Sequence, residues 1–163
     1  MNQTIQLMRI KSRGYKLDPP AIVHSMIVIG SGEMLTPEFV DKFKITHVIN
    51  CASDDMCPSW IERNEKYVCL DAIDSKDVNI LTWYPKFKET LQKYLRDPFC
   101  KKVFVHCQCG INRSAFLTLM YVCDIFKFPF NNTELSIIGQ RPCALTNQVF
   151  RHQILDALSK KID

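Results

Sequence analysis

The strongest constraint on this chain is an apolar strand pattern that runs into a polar loop and then into a long apolar helix pattern. Residues 102–105 read Lys-Val-Phe-Val, which is typical of a buried strand, and residues 115–122 form an apolar segment of helix length. The loop between them ends where the helix begins, so its backbone N–H groups can surround an anion at the positive end of that helix. The pattern therefore predicts an anion-binding loop between a strand and a helix.

Four residues of this loop have the chemistry that phosphoryl transfer needs. Cys107 lies where the strand ends, and a helix N-terminus with a neighbouring cation favours the nucleophilic thiolate. Arg113 can bind two phosphate oxygens through its planar guanidinium, a geometry that lysine does not offer. Gly110 allows a tight loop, and the Ser114 hydroxyl can donate to the sulfur and make it a better leaving group. We expect Cys107 to attack a phosphate ester and form a phosphocysteine.

The pattern His-Cys-x5-Arg-Ser in residues 106–114 resembles the signature of the cysteine-dependent protein phosphatases, and most of all their small dual-specificity branch. The resemblance extends over roughly residues 21–157. It implies that His106 orients the loop from behind the nucleophile. It also implies a phosphate-binding loop made of Gln108, Cys109, Gly110, Ile111, Asn112 and Arg113.

A phosphate ester also needs an acid that protonates the leaving oxygen, and three aspartates precede the expected long helix. Asp71 ends a strand pattern, Asp77 is placed to cap the next helix, and Asp74 lies on the loop between them. The segment 67–80 resembles the acid-bearing loop of the family, with Asp74 at its aspartate. We expect Asp74 to serve as the general acid and then as the general base, with Asp77 as the alternative.

One supporting residue is expected near the C-terminus. Arg141, Pro142, Asn147 and Phe150 resemble the closing segment of the family, in which an asparagine braces the phosphate loop. The interval from Arg141 to Asn147 is one residue longer than usual. The resemblance implies the bracing role for Asn147.

Two loop residues depart from the common family pattern. Asn112 stands where many dual-specificity members have serine, which makes the loop similar to that of poxvirus members and of the RNA 5′-phosphatase branch. Cys109 could either trap an oxidised Cys107 as a disulfide or simply line the loop. None of residues 108–112 is basic, which counts against a phosphoinositide substrate, and no long insertion can deepen the pocket. We expect a shallow pocket that accepts phosphotyrosine and phosphoserine or phosphothreonine.

Composition favours a cytoplasmic protein with access to the nucleus. The net charge is +4, no apolar run has the length of a membrane span, and the N-terminus does not resemble a secretory signal. The eight cysteines are therefore expected to be reduced thiols. No CxxC pair suggests zinc, and His106, Cys107 and Cys109 lack a distant fourth ligand. We expect no metal, no other cofactor and no membrane association.

Strand and helix patterns alternate along the chain, which predicts one α/β domain with a central, mostly parallel twisted sheet flanked by helices. Strands are expected over 21–30, 45–51, 67–72 and 102–105. One helix is expected to begin after Thr36, which would be its N-cap, and a second near Tyr84. Three more are expected over about 114–127, from near residue 131, and over about 146–160. Residues 1–20 are expected to form a basic N-terminal arm, extended or helical, before a catalytic domain of residues 21–163, in a monomer or homodimer.

Two other functions remain open from the sequence. Asn112 and the basic arm are compatible with an RNA 5′-triphosphatase, so an RNA 5′ end is the one nucleic-acid partner left open. The second open function is that of a pseudophosphatase, which only binds phosphorylated partners. The presence of Cys107, Arg113 and Asp74 counts against it. The leading prediction is a dual-specificity protein phosphatase whose partners are phosphorylated protein substrates.

Overall fold

A five-stranded sheet lies at the centre of the structure, a computed structural model that describes residues 2–62 and 64–161. The spatial order is β1-β2-β5-β3-β4, and only the β1–β2 pair is antiparallel. The mostly parallel sheet expected from the alternating patterns is confirmed. The strands are β1 (Ala21–His24), β2 (Ile27–Ser31), β3 (Ile45–Asn50), β4 (Tyr67–Cys69) and β5 (Lys102–Cys107).

Six α-helices flank the sheet within the described residues. Thr36 caps its helix by accepting from the Phe39 N–H, as expected, and the long helix starts at Tyr84. Pro85 fits in the first turn of that helix because the N–H that proline lacks has no partner there in any helix. The helices are α1 (Gln3–Ile10), α2 (Pro37–Phe43), α3 (Tyr84–Arg96), α4 (Arg113–Asp124), α5 (Phe130–Gln140) and α6 (Gln148–Ser159).

The structure corrects three expectations. Residues 21–30 form the hairpin β1–β2 rather than one strand, because the chain turns at Ser25 and Met26. The strand expected over 67–72 is β4, which ends at Cys69. Asp71 follows it with a left-handed φ of 54°. Asp77 does not cap the following helix, because a 3-10 turn intervenes and Asn79 caps that turn by accepting from the Leu81 N–H.

The sheet has an apolar core on each face. In β5, Val103 and Val105 belong to the larger core, which lies against α3, α4, α5 and α6, whereas Phe104 belongs to the smaller core beneath α2. Because β2, β3, β4 and β5 are parallel, their carboxyl ends meet at one edge of the sheet. Cys107, in register with Ser31, therefore lies at that edge.

The N-terminal segment is helical and packs on the rest of the chain. From α1, Arg9 donates hydrogen bonds to the carbonyl oxygens of Pro142, Ala144 and Leu145 at 3.0, 2.7 and 2.8 Å. Of the two forms left open by the sequence, the helix is the one observed over Gln3–Ile10. None of the helices in residues 2–62 and 64–161 is long and apolar enough to cross a membrane.

Candidate active site

The phosphate loop, residues 108–113, connects β5 to α4. Cys107 is the last residue of β5 and is only 2 % exposed, and Arg113 is the first residue of α4. The sulfur of Cys107 lies 3.3 Å from the hydroxyl oxygen of Ser114, which is fully buried in the first turn of α4. Cys107 and Ser114 are therefore held by a strand end and a helix start, as expected.

Gly110 allows the phosphate loop to pass close to β2. Its φ of 67° is in the left-handed region, and a Cβ at this position would lie 2.5 Å from the carbonyl oxygen of Gly30 and from the backbone nitrogen of Ser31. No side chain fits at that distance, so both conformation and space require glycine.

The loop carbonyls all accept hydrogen bonds from outside the phosphate-binding face. The Gln108 carbonyl accepts from the Gly32 N–H at 3.2 Å, and the Ile111 carbonyl accepts from the Leu145 N–H at 2.7 Å. The Cys109 and Gly110 carbonyls accept from Arg141 at 2.7 and 2.9 Å. Because the N–H of a trans peptide points away from its carbonyl, this arrangement turns the loop N–H groups toward the space above Cys107.

Arg141 is the site residue whose role the sequence analysis missed. Its side chain is fully buried and also donates to the carbonyl oxygens of Asp18 and Tyr15, at 2.7 and 2.9 Å. One guanidinium therefore joins the phosphate loop to the N-terminal segment. In the sequence, its signal is an arginine directly before Pro142, in the stretch that resembles the closing segment of the family.

Arg113 contacts the acid loop, residues 71–79. Its Nη1 donates to the Ala72 carbonyl oxygen at 3.0 Å. Its Nε is buried and has no hydrogen-bond partner within the described part of the chain. Arg113 also lines the cavity described below, where a guanidinium can bind a phosphate oxygen.

Asp74 is exposed on the acid loop and faces the phosphate loop. Its Oδ2 accepts from Asn112 Nδ2 and its Oδ1 accepts from Asn147 Nδ2, both at 3.2 Å. The structure therefore brings together Asp74, Asn112 and Asn147, whereas Asp77, the alternative acid, does not line the cavity described below.

His106 lies behind the nucleophile and is fully buried. Its Nδ1 is 3.1 Å from the carbonyl oxygen of Cys107, so Nδ1 carries the hydrogen and donates. Burial lowers the pKa of His106 to about 4, which keeps the ring neutral near pH 7. Nε2 has no partner among the described residues.

Cys109 is half-buried beside the nucleophile. Burial is the first cause that raises the pKa of its thiol, and the neighbouring Cys107 is the second. Cys109 therefore remains a protonated thiol near neutral pH.

Seven of the residues expected at the site line one cavity of about 480 Å³, whereas His106, Gly110, Ser114 and Asn147 do not line it. Its apolar wall contains Ile73, which is 54 % exposed, and Ile111. In residues 2–62 and 64–161, no group of three or more His, Cys, Asp or Glu side chains is placed to hold a metal ion. The cavity is lined by Ala72, Ile73, Asp74, Cys107, Gln108, Cys109, Ile111, Asn112, Arg113 and Thr146.

The relatives of this chain include dual specificity protein phosphatases and serine/threonine/tyrosine-interacting proteins. A probable dual specificity protein phosphatase of Dictyostelium discoideum is 29% identical over 126 residues, which are 77% of this chain and 31% of that protein. Dual specificity protein phosphatase 4 of Gallus gallus is 33% identical over 85 residues, which are 52% of this chain and 22% of the relative. The chain thus spans less than a third of the length of these two relatives.

Solved structures share the fold. The human tyrosine phosphatase-like serine/threonine/tyrosine-interacting protein superposes with a TM-score of 0.71 at 24% identity, over 90% of this chain and 99% of that one. The family model "Dual specificity phosphatase, catalytic domain" matches residues 27–160, which is most of the chain. With its phosphate loop and acid loop around one cavity, the chain belongs to the dual specificity phosphatase family.

Proposed function

We propose that this protein is a dual-specificity protein phosphatase that hydrolyses phosphotyrosine and phosphoserine or phosphothreonine through a phosphocysteine intermediate. The observation that carries the proposal is that Cys107, Arg113 and Asp74 line the same cavity. These three side chains supply a nucleophile, a phosphate-binding cation and a proton donor, which together are sufficient for hydrolysis of a phosphate monoester.

In the first step the Cys107 thiolate attacks phosphorus. The bond between phosphorus and the leaving oxygen breaks, and Asp74 gives that oxygen its proton. The guanidinium of Arg113, which lines the cavity, and the loop N–H groups bind the non-bridging oxygens while charge develops on them. The leaving group departs as a neutral alcohol or phenol, and the phosphoryl group is on the sulfur.

In the second step water hydrolyses the phosphocysteine. Asp74, now a carboxylate, accepts a proton from the water as its oxygen attacks phosphorus. The phosphorus–sulfur bond breaks, and the Ser114 hydroxyl, 3.3 Å from the sulfur, donates to the departing thiolate. The thiolate and the protonated acid are restored, and inorganic phosphate is released.

The shape of the cavity supports a broad range of phosphorylated side chains. Its apolar wall contains Ile73, which is exposed, and Ile111, no aromatic residue of the described chain lines the cavity, and none of residues 108–112 is basic. A shallow wall of this kind can contact a phenol ring without excluding the shorter serine and threonine side chains. Phosphorylated proteins are therefore the proposed partners.

The RNA 5′-triphosphatase alternative was motivated by Asn112 and by the basic N-terminal segment. In the structure, the side-chain amide of Asn112 donates to Asp74 and accepts from the backbone N–H groups of Thr146 and Asn147. Arg9 of the basic segment is likewise occupied by three carbonyl oxygens. Neither observation favours RNA over a phosphoprotein.

We place the protein in the cytoplasm, with access to the nucleus, as a monomer or homodimer. All eight cysteines lie in the described residues and are free thiols, which suits a reducing compartment. A catalytic thiolate also needs such a compartment to stay active.

The proposed function is tested with 4-nitrophenyl phosphate and with phosphotyrosyl and phosphothreonyl peptides. We expect hydrolysis of all three, abolished by Cys107→Ser but not by Cys100→Ser, a matched change at a half-buried cysteine before β5. Activity that survives Cys107→Ser would overturn the mechanism. Hydrolysis of the phosphotyrosyl peptide alone would overturn the dual specificity, and faster release of γ-phosphate from triphosphate-ended RNA would favour the RNA phosphatase.

A further inference from the structure

Two side-chain amides, those of Asn112 and Asn147, hold the carboxyl group of Asp74. Asn112 is the residue before α4, and Asn147 is the residue before α6. Each donates to a different oxygen of Asp74, at 3.2 Å in both cases. The acid of the proposed reaction is therefore held at both of its oxygens.

The orientation of the Asn112 amide is fixed by backbone donors. Its Oδ1 lies 2.9 Å from the N–H nitrogens of Thr146 and Asn147, and both of these groups can only donate. The oxygen must therefore face the backbone, which leaves Nδ2 and its two hydrogens facing Asp74.

The orientation of the Asn147 amide is fixed in the same way. Its Oδ1 accepts from the Phe150 N–H at 3.1 Å as the N-cap of α6. Nδ2 therefore faces Asp74. Because both amides are oriented by backbone N–H groups, they present preset donors to the acid and need no rearrangement when substrate enters.

The acid loop needs such contacts because it has no regular secondary structure of its own between β4 and the 3-10 turn at Ile80–Thr82. Asp74 itself is exposed. The other contact between the two loops is the hydrogen bond from Arg113 to the Ala72 carbonyl oxygen. The two adjacent residues Asn112 and Arg113 thus attach the acid loop to the phosphate loop at two points.

We propose that Asn112, assisted by Asn147, is the positioning residue that holds Asp74 over the phosphate loop for general-acid catalysis. This inference rests on the proposed function. As Asp74 gives up its proton, negative charge develops on its carboxyl group, and the two amide donors stabilise that charge. Asparagine suits this position because it presents an acceptor and a donor on separate atoms, whereas the single hydroxyl of serine is shorter and carries one hydrogen.

The inference predicts a dependence on the leaving group. A phosphothreonyl peptide expels an alcohol oxygen that must be protonated, whereas 2,4-dinitrophenyl phosphate expels a phenolate that needs no proton. Removing a positioned general acid typically costs a factor of about 10² to 10⁴. We expect Asn112→Ala to lower kcat/KM, which reports the steps up to departure of the leaving group, by about tenfold on the phosphothreonyl peptide and by less than about threefold on 2,4-dinitrophenyl phosphate, as a fraction of the full general-acid effect.

Two further variants separate positioning from loop structure. Asn112→Asp keeps an oxygen that can accept from Thr146 and Asn147 but replaces the donor with a second carboxylate facing Asp74. Asn147→Ser keeps an N-cap for α6 but is too short to reach Asp74. We expect the loss to be larger on the phosphothreonyl peptide than on 2,4-dinitrophenyl phosphate in both variants, with Asp77→Asn, at an exposed aspartate of the same loop, matching the wild-type protein.

A double-mutant cycle with Asp74→Asn completes the test. Once the acid is absent, Asn112→Ala should cause no additional loss that depends on the leaving group. An equal loss on both substrates, full activity of Asn112→Asp on the phosphothreonyl peptide, or additive effects in the cycle would each overturn the inference. Failure of the proposed function would look different, since the wild-type protein would then hydrolyse neither substrate in a way that depends on Cys107.

Discussion

Arg141 donates from Nε to the carbonyl oxygen of Gly110 at 2.9 Å, beneath the phosphate loop. The same buried side chain donates to the Cys109 carbonyl oxygen and, on its other side, to those of Asp18 and Tyr15. A single guanidinium thus turns two loop carbonyls away from the phosphate-binding face. It also makes the N-terminal segment part of the support of the loop.

Replacing Arg141 should therefore cost both stability and activity. Arg141→Ala leaves buried carbonyl oxygens without donors, and such a loss should lower the free energy of unfolding by about 3 kcal/mol or more. Arg141→Lys keeps the charge, but one ammonium cannot replace a planar fork that reaches both segments, so it should recover only part of the loss. Urea unfolding measures the first effect and hydrolysis of 4-nitrophenyl phosphate measures the second.

The control for this prediction is Arg13→Ala, at an exposed arginine of the same N-terminal segment. A surface substitution of this kind should change the free energy of unfolding by less than about 0.5 kcal/mol. If Arg141→Ala lowered the free energy of unfolding as little as Arg13→Ala, the hydrogen bonds of Arg141 would not support the phosphate loop.

Gly110→Ala should disrupt the phosphate loop. The new methyl group would enter the space of the Gly30 backbone, and the left-handed φ of 67° would add strain. We expect a loss of about 2 kcal/mol or more in unfolding free energy, with a fall in kcat. Gly139→Ala is the matched control, since it lies inside α5 with nothing within 4 Å of the added Cβ, and it should stabilise by about 0.5–1 kcal/mol. Equal effects of the two substitutions would contradict this account.

The sequence predicted most of the structure where the residues that form a feature are contiguous in the chain. The strand end, the loop and the helix start around Cys107 are continuous in the chain, and the family resemblance located Asp74 within a second continuous segment. The alternation of strand and helix patterns also predicted the mostly parallel sheet, because parallel neighbours require crossover connections.

The sequence was less informative where contacts are long-range or local signals are weak. The hydrogen bond from Arg141 to the Asp18 carbonyl oxygen spans 123 positions, and no periodic pattern encodes it. The hairpin between β1 and β2 turns at Ser25 and Met26, without the glycine, proline or asparagine that usually marks a tight turn. Asp77 is of a residue type that often caps helices, but the 3-10 turn that follows it is capped by Asn79.

Ser114→Ala should slow the second chemical step. The hydroxyl that lies 3.3 Å from the sulfur donates to the thiolate as phosphate leaves, so its removal should slow hydrolysis of the phosphocysteine by about 100- to 1,000-fold, the loss typical of one preorganised donor. Stopped-flow measurement with 4-nitrophenyl phosphate should then show a burst of nitrophenol. Thr118→Val, which removes another fully buried hydroxyl of α4, should show no burst. A slow steady state without a burst would place the role of Ser114 in the first step.

Lowering the pH should destabilise the fold through His106. Burial lowers the pKa of His106 to about 4 from 6.5, so between these values the unfolded chain binds a proton that the folded protein does not. The free energy of unfolding contributed by this residue is therefore fully present above pH 6.5 and should fall by about 3 kcal/mol as the pH approaches 4. His106→Asn places an amide donor near the position of Nδ1 but does not titrate. Urea unfolding of both proteins across this range gives the free energy of unfolding as a function of pH. We expect the two free energies to converge as the pH falls. A constant difference between them would show that His106 does not titrate as its burial requires.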